Sequence, residues 1–298
     1  MLIMLMRLLR QLSPGLRRTV LNGIDGAWLN RRLAAHGTVV YRYRDRRINV
    51  DLRDRVGRQM IKHGFTEQPF ITLIEKHFTD SGCCFLDIGA NLGNYSLALA
   101  PHFAKTIAFE PNPPVFKRLT QNVEYNPDLQ IEPFNCGLSS QSGTLAFYPN
   151  NEGNSGASGF EAERMGIEPL ELETSAGDEF AASIDIRIAA IKIDVEGHEL
   201  EVIRGLEKTI ANDQPVIFME WLGDTMDRKG GFEALEALLP GYRILVPGTR
   251  PGDGHKIKTA APKHRLTQLM PLQKPYRKKY NMIFCVPQKI VARVTQAD

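Results

Sequence analysis

The sequence predicts an α/β protein built on a doubly wound, mostly parallel sheet, on three observations. Short apolar runs alternate with amphipathic segments from Cys83 onward. Several of these runs are apolar throughout, as strands covered on both faces are. A turn holding Gly89 and Gly93 separates the first run from the segment that follows it. Strand, turn and helix in repeated succession is the pattern of βαβ units.

Seven runs are expected as strands: Cys83–Ile88, Thr106–Phe109, Ile131–Cys136, Ile188–Ile193, Pro215–Met219, Tyr242–Val246 and Met282–Val286. Helical spacing predicts Tyr95–Phe103, Pro114–Tyr125, Glu199–Ile210 and Phe232–Leu239 between them. A long loop separates the last two strands, so the last is expected to run antiparallel. The result is a Rossmann-like seven-stranded sheet over residues 65–290, opened by a helix near Pro69 to Phe78. Residues 1–64 form a small extension, a helix and then a hairpin. The hairpin is Thr38–Tyr43 returning through Arg47–Leu52 across the polar turn Arg44-Asp45-Arg46. Two stretches break the alternation, Pro149–Gly166 and Pro247–Lys279. Loops of that length in a compact domain serve as binding loops or lids, or are disordered.

The chain has 298 residues, 43% hydrophobic and 24% charged, with net charge +3. This is a soluble globular composition, too weakly basic to imply a nucleic acid partner. Cys83, Cys84, Cys136 and Cys285 lack zinc-site spacing and are too few for a disulfide framework. They read as reduced thiols in a cytoplasmic core. The run Met1–Met6 is too short to span a bilayer and has no positive segment ahead of it. With Arg7, Arg10, Arg17 and Arg18, this segment either packs on the main domain or a partner, or lies on an anionic membrane surface.

Three constellations carry chemistry. In Phe85-Leu86-Asp87-Ile88-Gly89-Ala90-Asn91-Leu92-Gly93-Asn94, a strand ends at Asp87 and a helix begins after Gly93. Glycines permit sharp backbone geometry and close ligand approach. A dinucleotide site would place glycines where Asn91 and Asn94 stand. An acid two residues before the first glycine suits a cationic amino acid end better than a pyrophosphate, which points to S-adenosyl-L-methionine. The second constellation is Glu110 at the end of the next strand, about 20 residues on, where a carboxylate meets ribose hydroxyls. The third is Ile191-Lys192-Ile193-Asp194-Val195-Glu196-Gly197-His198-Glu199. Strand alternation puts Lys192 and Asp194 on one face, with Asp194 beside the ligand crevice of an open α/β sheet. Asp194 or His198 would serve as general base, with Glu196 beside them. No metal is assigned, although Asp194, Glu196 and His198 could ligate a divalent ion together. The bland reading of the same cluster is a helix N-terminus with carboxylates and a Lys192–Asp194 ion pair.

These motifs, with Ala108-Phe109-Glu110-Pro111-Asn112 and Asn135-Cys136-Gly137-Leu138-Ser139, resemble the FkbM family of methyltransferases over about residues 65 to 287. The run Asp194-Val195-Glu196-Gly197-His198-Glu199 is the most specific of them. The resemblance implies the class I methyltransferase fold. It implies that Asp87, Gly89, Ala90, Asn91, Gly93 and Asn94 surround the methionine moiety. Glu110, with Asn112 after it, would hold the ribose, and Gly137 and Leu138 would lie near the adenine. Asp194 would border the transferred methyl. Asn154–Ser158 resembles a small-residue loop of such proteins. In place of the family's Thr-Leu-Asp-like segment the chain has Leu172–Glu179.

The expected activity is O-methylation of a hydroxyl on a sugar, glycan or small metabolite. Three other readings stand beside it, one of them a non-catalytic adaptor that keeps the fold and binds the cofactor without turnover. A nucleic acid methyltransferase would use the basic segment Lys274–Lys279 on phosphates, and an NAD-dependent oxidoreductase would share the fold class.

Overall fold

The apolar runs after Cys83 become the strands of one large sheet, and the residues before them build a cap against its side. The structure is a computed structural model describing residues 4–6, 8, 26–148, 168–221, 223–248, 268–272 and 280–295. The chain passes through α1 (Gly26–Ala34), the hairpin β1 (Thr38–Tyr43) and β2 (Arg46–Asp51), α2 (Arg55–His63) and α3 (Gln68–His77). Then come β3 (Asp80–Ile88), α4 (Asn94–Leu99), β4 (Phe103–Phe109), α5 (Pro113–Glu124) and β5 (Ile131–Phe134). The short strands β6 (Gly137–Ser139), β7 (Gly143–Phe147) and β8 (Leu170–Ala176) lead to α6 (Gly177–Ala181) and β9 (Ile188–Ile193). Helices α7 (Glu199–Gly205) and α8 (Glu207–Asp213), β10 (Val216–Trp221), α9 (Gly223–Arg228) and α10 (Gly231–Leu238) follow. The chain closes with β11 (Tyr242–Gly248), β12 (Gln268–Pro271), β13 (Tyr280–Pro287) and α11 (Gln288–Thr295).

The main sheet has the order β12-β11-β13-β10-β9-β3-β4-β5. Strands β5, β4, β3, β9 and β10 are mutually parallel, and β13 runs antiparallel between β10 and β11. The seven expected strands are all present, with the last antiparallel as its long approach implied. The sheet has eight strands because residues 268–271, inside the expected 247–279 loop, pair with β11. The chain leaves β3 toward β4 on one side and later returns to β9 on the other. The carboxyl ends of β3 and β9 therefore flank a topological switch point, where open α/β sheets bind ligands.

Side chains alternate between two apolar layers. Phe85, Ala190, Phe218 and Phe284 face one way, and Leu86, Ile191, Ile217, Met219 and Ile283 the other. On the first side, Phe85 stacks on Phe103 and Phe218 at centroid distances of 5.4 and 5.9 Å. Tyr41, Ile48, Val50 and Leu52 of the hairpin belong to that same layer.

The hairpin is fastened by α5. Asn122 and Asn126 lie one turn apart and act as a third strand for the free edge of β2. Asn49 N–H donates to Asn122 Oδ1 (2.6 Å) and Arg47 N–H to Asn126 Oδ1 (3.0 Å). Their amides donate back to the carbonyls of Asn49 (3.3 Å) and Arg47 (2.8 Å). Both asparagines are buried, so the pairing satisfies backbone groups that would otherwise be stranded. Asp51 adds an ion pair to Arg118 at 2.9 Å.

Three local details depart from the sequence pattern. The expected helix Tyr95–Phe103 ends at Leu99 and tightens into a 3-10 turn at Ala100–His102, where Pro101 cannot continue the helix. The expected helix Glu199–Ile210 divides at Leu206 into α7 and α8. Gly205 there lies so close to β6 that a Cβ would come within 1.9 Å of the Ser139 carbonyl oxygen. Finally, β6, β8 and β7 form a separate three-stranded sheet that the sequence pattern does not announce. The Asn154–Ser158 segment, the basic stretch Lys274–Lys279, and Arg7, Arg10, Arg17 and Arg18 lie outside the described residues. Among the described residues the cysteines form no disulfide, and no helix is long and apolar enough to cross a membrane.

Candidate active site

The carboxyl ends of β3, β4, β9 and β10 open into a cavity of about 340 Å³. Its floor is the turn after β3. Gly89 (φ +77), Asn91 (φ +51) and Gly93 (φ +85) all take left-handed backbone. At Gly89 a Cβ would lie 2.0 Å from the Asp194 carbonyl oxygen. Glycine is thus required there by the close passage of β9, quite apart from any ligand. At Gly93 a Cβ would meet Leu119 at 2.9 Å. Gly89, Ala90, Asn91 and Asn94 line the cavity and Gly93 does not. The Asn94 side chain is engaged with the main chain of Thr66, accepting from its N–H at 2.8 Å and donating to its carbonyl at 3.1 Å.

Asp87 is fully buried and absent from the cavity wall. Its Oδ2 accepts from Ser96 N–H (2.9 Å) and Ser96 Oγ (2.5 Å), clamping the start of α4. Its Oδ1 lies 3.4 Å from Lys192 Nζ. Asp87 is thus placed behind the cavity wall and joined to it through α4 and Lys192.

Glu110, at the end of β4, does line the cavity. Its two oxygens accept from Asn91 N–H and Asn112 N–H, both at 2.9 Å. Each oxygen keeps further acceptor capacity, as a ribose diol would need. Burial pushes this carboxyl up to about 7, against the two backbone donors. Asn112 contributes its backbone N–H, and its side chain is buried outside the cavity. Gly137 and Leu138 sit buried in β6, away from the wall, and Leu138 belongs to the sheet's second apolar layer. They are not brought to this cavity.

The third motif divides. Asp194 and Glu196 line the cavity, and Glu196 is presented by a left-handed residue (φ +54). His198 is buried elsewhere, its Nε2 2.9 Å from Ser139 Oγ. His198 is thus not brought together with Asp194 and Glu196 at the cavity. Glu220, from the end of β10, takes its place. Oxygens of Asp194, Glu196 and Glu220 lie within 4.8 Å of one another. Burial, then the nearby Asp194 and Glu196 charges, push the Glu220 carboxyl up to about 9.

Lys192 ties the site together. Its ammonium donates to the Gly89 carbonyl at 2.7 Å and lies 3.4 Å from Asp87 and 3.6 Å from Asp194. It also stands 5.7 Å from the centre of the Tyr95 ring, whose hydroxyl donates to Glu67 at 2.8 Å. Desolvation opposes the ammonium, but the Asp194 and Asp87 carboxylates outweigh it and hold the lysine above its ordinary range.

Sequence reasoning missed Glu220, although its signal was the one that located Glu110 and Asp194, an acid where an apolar strand run ends. It also missed Arg55, Gln59 and Glu67, which reach the cavity from the extension and the segment after it. No local motif marks them.

Residues 87–244, more than half of the chain, match the Methyltransferase FkbM domain family. The chain belongs to this family. Hexuronic acid methyltransferase AglP of Haloferax volcanii is 36% identical over 132 residues, which cover 44% of this chain and 53% of that protein. Methyltransferase sdnD of Sordaria araneosa is 30% identical over 155 residues, 41% of this chain and 60% of that one. The FkbM chain therefore spans little more than half the length of these relatives. The solved FkbM methyltransferase of Methylobacillus flagellatus KT has TM-score 0.45 and 15% identity, covering 69% of this chain and 44% of that one.

Proposed function

We propose that this FkbM methyltransferase uses S-adenosyl-L-methionine to methylate a hydroxyl on a sugar, glycan or other small metabolite. Asp194 carries the reading. It is a carboxylate on the cavity wall, at the switch point of the sheet and beside the left-handed turn that follows β3. The likeness to the Haloferax hexuronic acid methyltransferase supports a sugar as acceptor.

The cavity's residues fit such a cofactor. Glu110 offers acceptor lone pairs for a ribose, and Asp194, Glu196 and Glu220 favour a cationic group nearby. The cavity lies at the lower end of the size range for small-molecule sites. Bound S-adenosylmethionine supplies a methyl group already activated by its sulfonium charge.

The chain's own task is then positioning and proton transfer. Asp194 would take the proton of a hydroxyl held against it, on the oxygen that receives the methyl group. Lys192 fixes Asp194 in place by an ion pair on the side facing β3. The left-handed turn and the segment after β9 close the cavity floor against each other through Gly89 and Asp194.

Incubation with methyl-labelled cofactor and sugar or glycan acceptors tests the proposal. A labelled product whose methyl survives mild base, as an ether does, is expected. Release of the label by mild base would mark an ester and place the methyl on a carboxylate. Absence of S-adenosylhomocysteine binding in calorimetry would remove the methyltransferase reading altogether.

A further inference from the structure

The cavity wall is sharply divided in charge. Glu67, Glu110, Asp194, Glu196 and Glu220 supply carboxylates, and Lys192 is consumed by Asp87, Asp194 and the Gly89 carbonyl. Among the described residues lining it, the remaining cation is Arg55, the first residue of α2. Its neighbours in sequence are all engaged. Arg53 grips Asp51, and Arg58 donates to the Leu52 and Arg53 carbonyls. Arg55 makes no hydrogen bond or ion pair among the described residues, although it is exposed toward a cavity rich in acids.

Gln59 stands one helical turn further on, so its amide and the Arg55 guanidinium share a face of α2. The helix that presents them is rigidly placed. Asp54 caps it by accepting from Val56 N–H at 2.7 Å. Gly57 passes so close to β2 that a Cβ would lie 2.1 Å from the Asp51 carbonyl oxygen. A fork of guanidinium donors with an amide donor one turn away matches the two oxygens of a carboxylate.

We propose that Arg55 and Gln59 form a carboxylate-binding pair, so that the cavity takes a dipolar ligand with its cation toward Glu220 and its anion toward α2. This rests on the methyltransferase reading above. Two sources offer the carboxylate, the amino acid end of the cofactor and a uronate group on the acceptor.

The test uses the full chain and the variants Arg55→Gln and Arg55→Lys. Calorimetry measures S-adenosylhomocysteine and methylthioadenosine, which lacks the amino acid end. Saturation-transfer NMR measures glucuronate and glucose on the protein loaded with S-adenosylhomocysteine. Loss of a charge-assisted contact predicts that Arg55→Gln weakens one of the two acids by about 10- to 100-fold. Methylthioadenosine and glucose should be unaffected, and Arg55→Lys should retain part of the affinity. Weakening of S-adenosylhomocysteine assigns the pair to the cofactor, and weakening of glucuronate assigns it to the acceptor. If Arg55→Gln leaves both acids unchanged, or weakens acid and neutral ligands alike, the pair is not a carboxylate site. A wild-type protein that binds no S-adenosylhomocysteine would sink the underlying function instead.

Discussion

The Lys192 ammonium lies 3.6 Å from the Asp194 carboxylate, two residues further along the chain, while its other flank faces fully buried Asp87 at 3.4 Å. One cation thus joins a structural carboxylate to the carboxylate that the proposed reaction uses for proton transfer. Replacing Lys192 with Met leaves Asp87 buried without its counter-charge. Breaking a buried pair in this way costs about 3–5 kcal/mol. Urea unfolding should show that loss for Lys192→Met, and a much smaller loss for Lys192→Met combined with Asp87→Asn.

Their different placement sets different expectations for Asp194 and His198. Asp194→Asn should lower turnover by about 10²- to 10⁴-fold, with S-adenosylhomocysteine affinity nearly retained. His198→Ala strands the buried Ser139 hydroxyl, for a stability loss of about 1–3 kcal/mol. The pH profile of its kcat/KM should match that of the wild type. A His198→Ala profile missing one ionisation would return His198 to the proton-transfer path.

Stability should fall as pH rises through the weakly acid range. Burial pushes both Glu110 and Glu199 from 4.5 up to about 7. Between those values the folded chain keeps protons that the unfolded chain has released, so folding is favoured at the acid end. For these two the penalty is complete above about 7 and absent below 4.5, and Glu220, raised to about 9, carries the fall further. Urea midpoints at a series of pH values should show this slope, reduced in Glu110→Gln and again in Glu199→Gln.

Binding of the cofactor should release a proton near neutral pH. Glu220, raised to about 9, is protonated there in the ligand-free protein. A sulfonium nearby favours its carboxylate. Titrations in buffers of different ionisation heat should therefore report more proton release with S-adenosylmethionine than with the uncharged sulfur of S-adenosylhomocysteine. Glu220→Gln should erase the difference.

Much of this architecture is legible in the sequence, because parallel strands announce themselves locally. The run Cys83–Ile88 and the apolar stretch Ile188–Ile193 needed only their composition and the turns beside them. The same local logic finds Glu110 and Asp194 at strand ends. It misleads at His198, which shares a short turn with Asp194 but points to Ser139. Sequence proximity does not fix direction when a left-handed residue such as Glu196 intervenes. It fails at Arg55 and Gln59, whose helix follows a hairpin that Asn122 and Asn126 anchor from more than seventy residues away. The separate sheet of β6, β7 and β8 is similarly non-local, since β7 ends at Phe147 and its partner β8 begins only at Leu170.

The asparagine pair on α5 bears on how this protein can be shortened. Cutting the chain down to the stretch that its family shares would remove β2 and leave the two amides facing nothing, under an apolar layer stripped of Tyr41, Ile48 and Val50. It would also take away one wall of the ligand chamber. A minimal working enzyme must begin well upstream of its recognisable motifs.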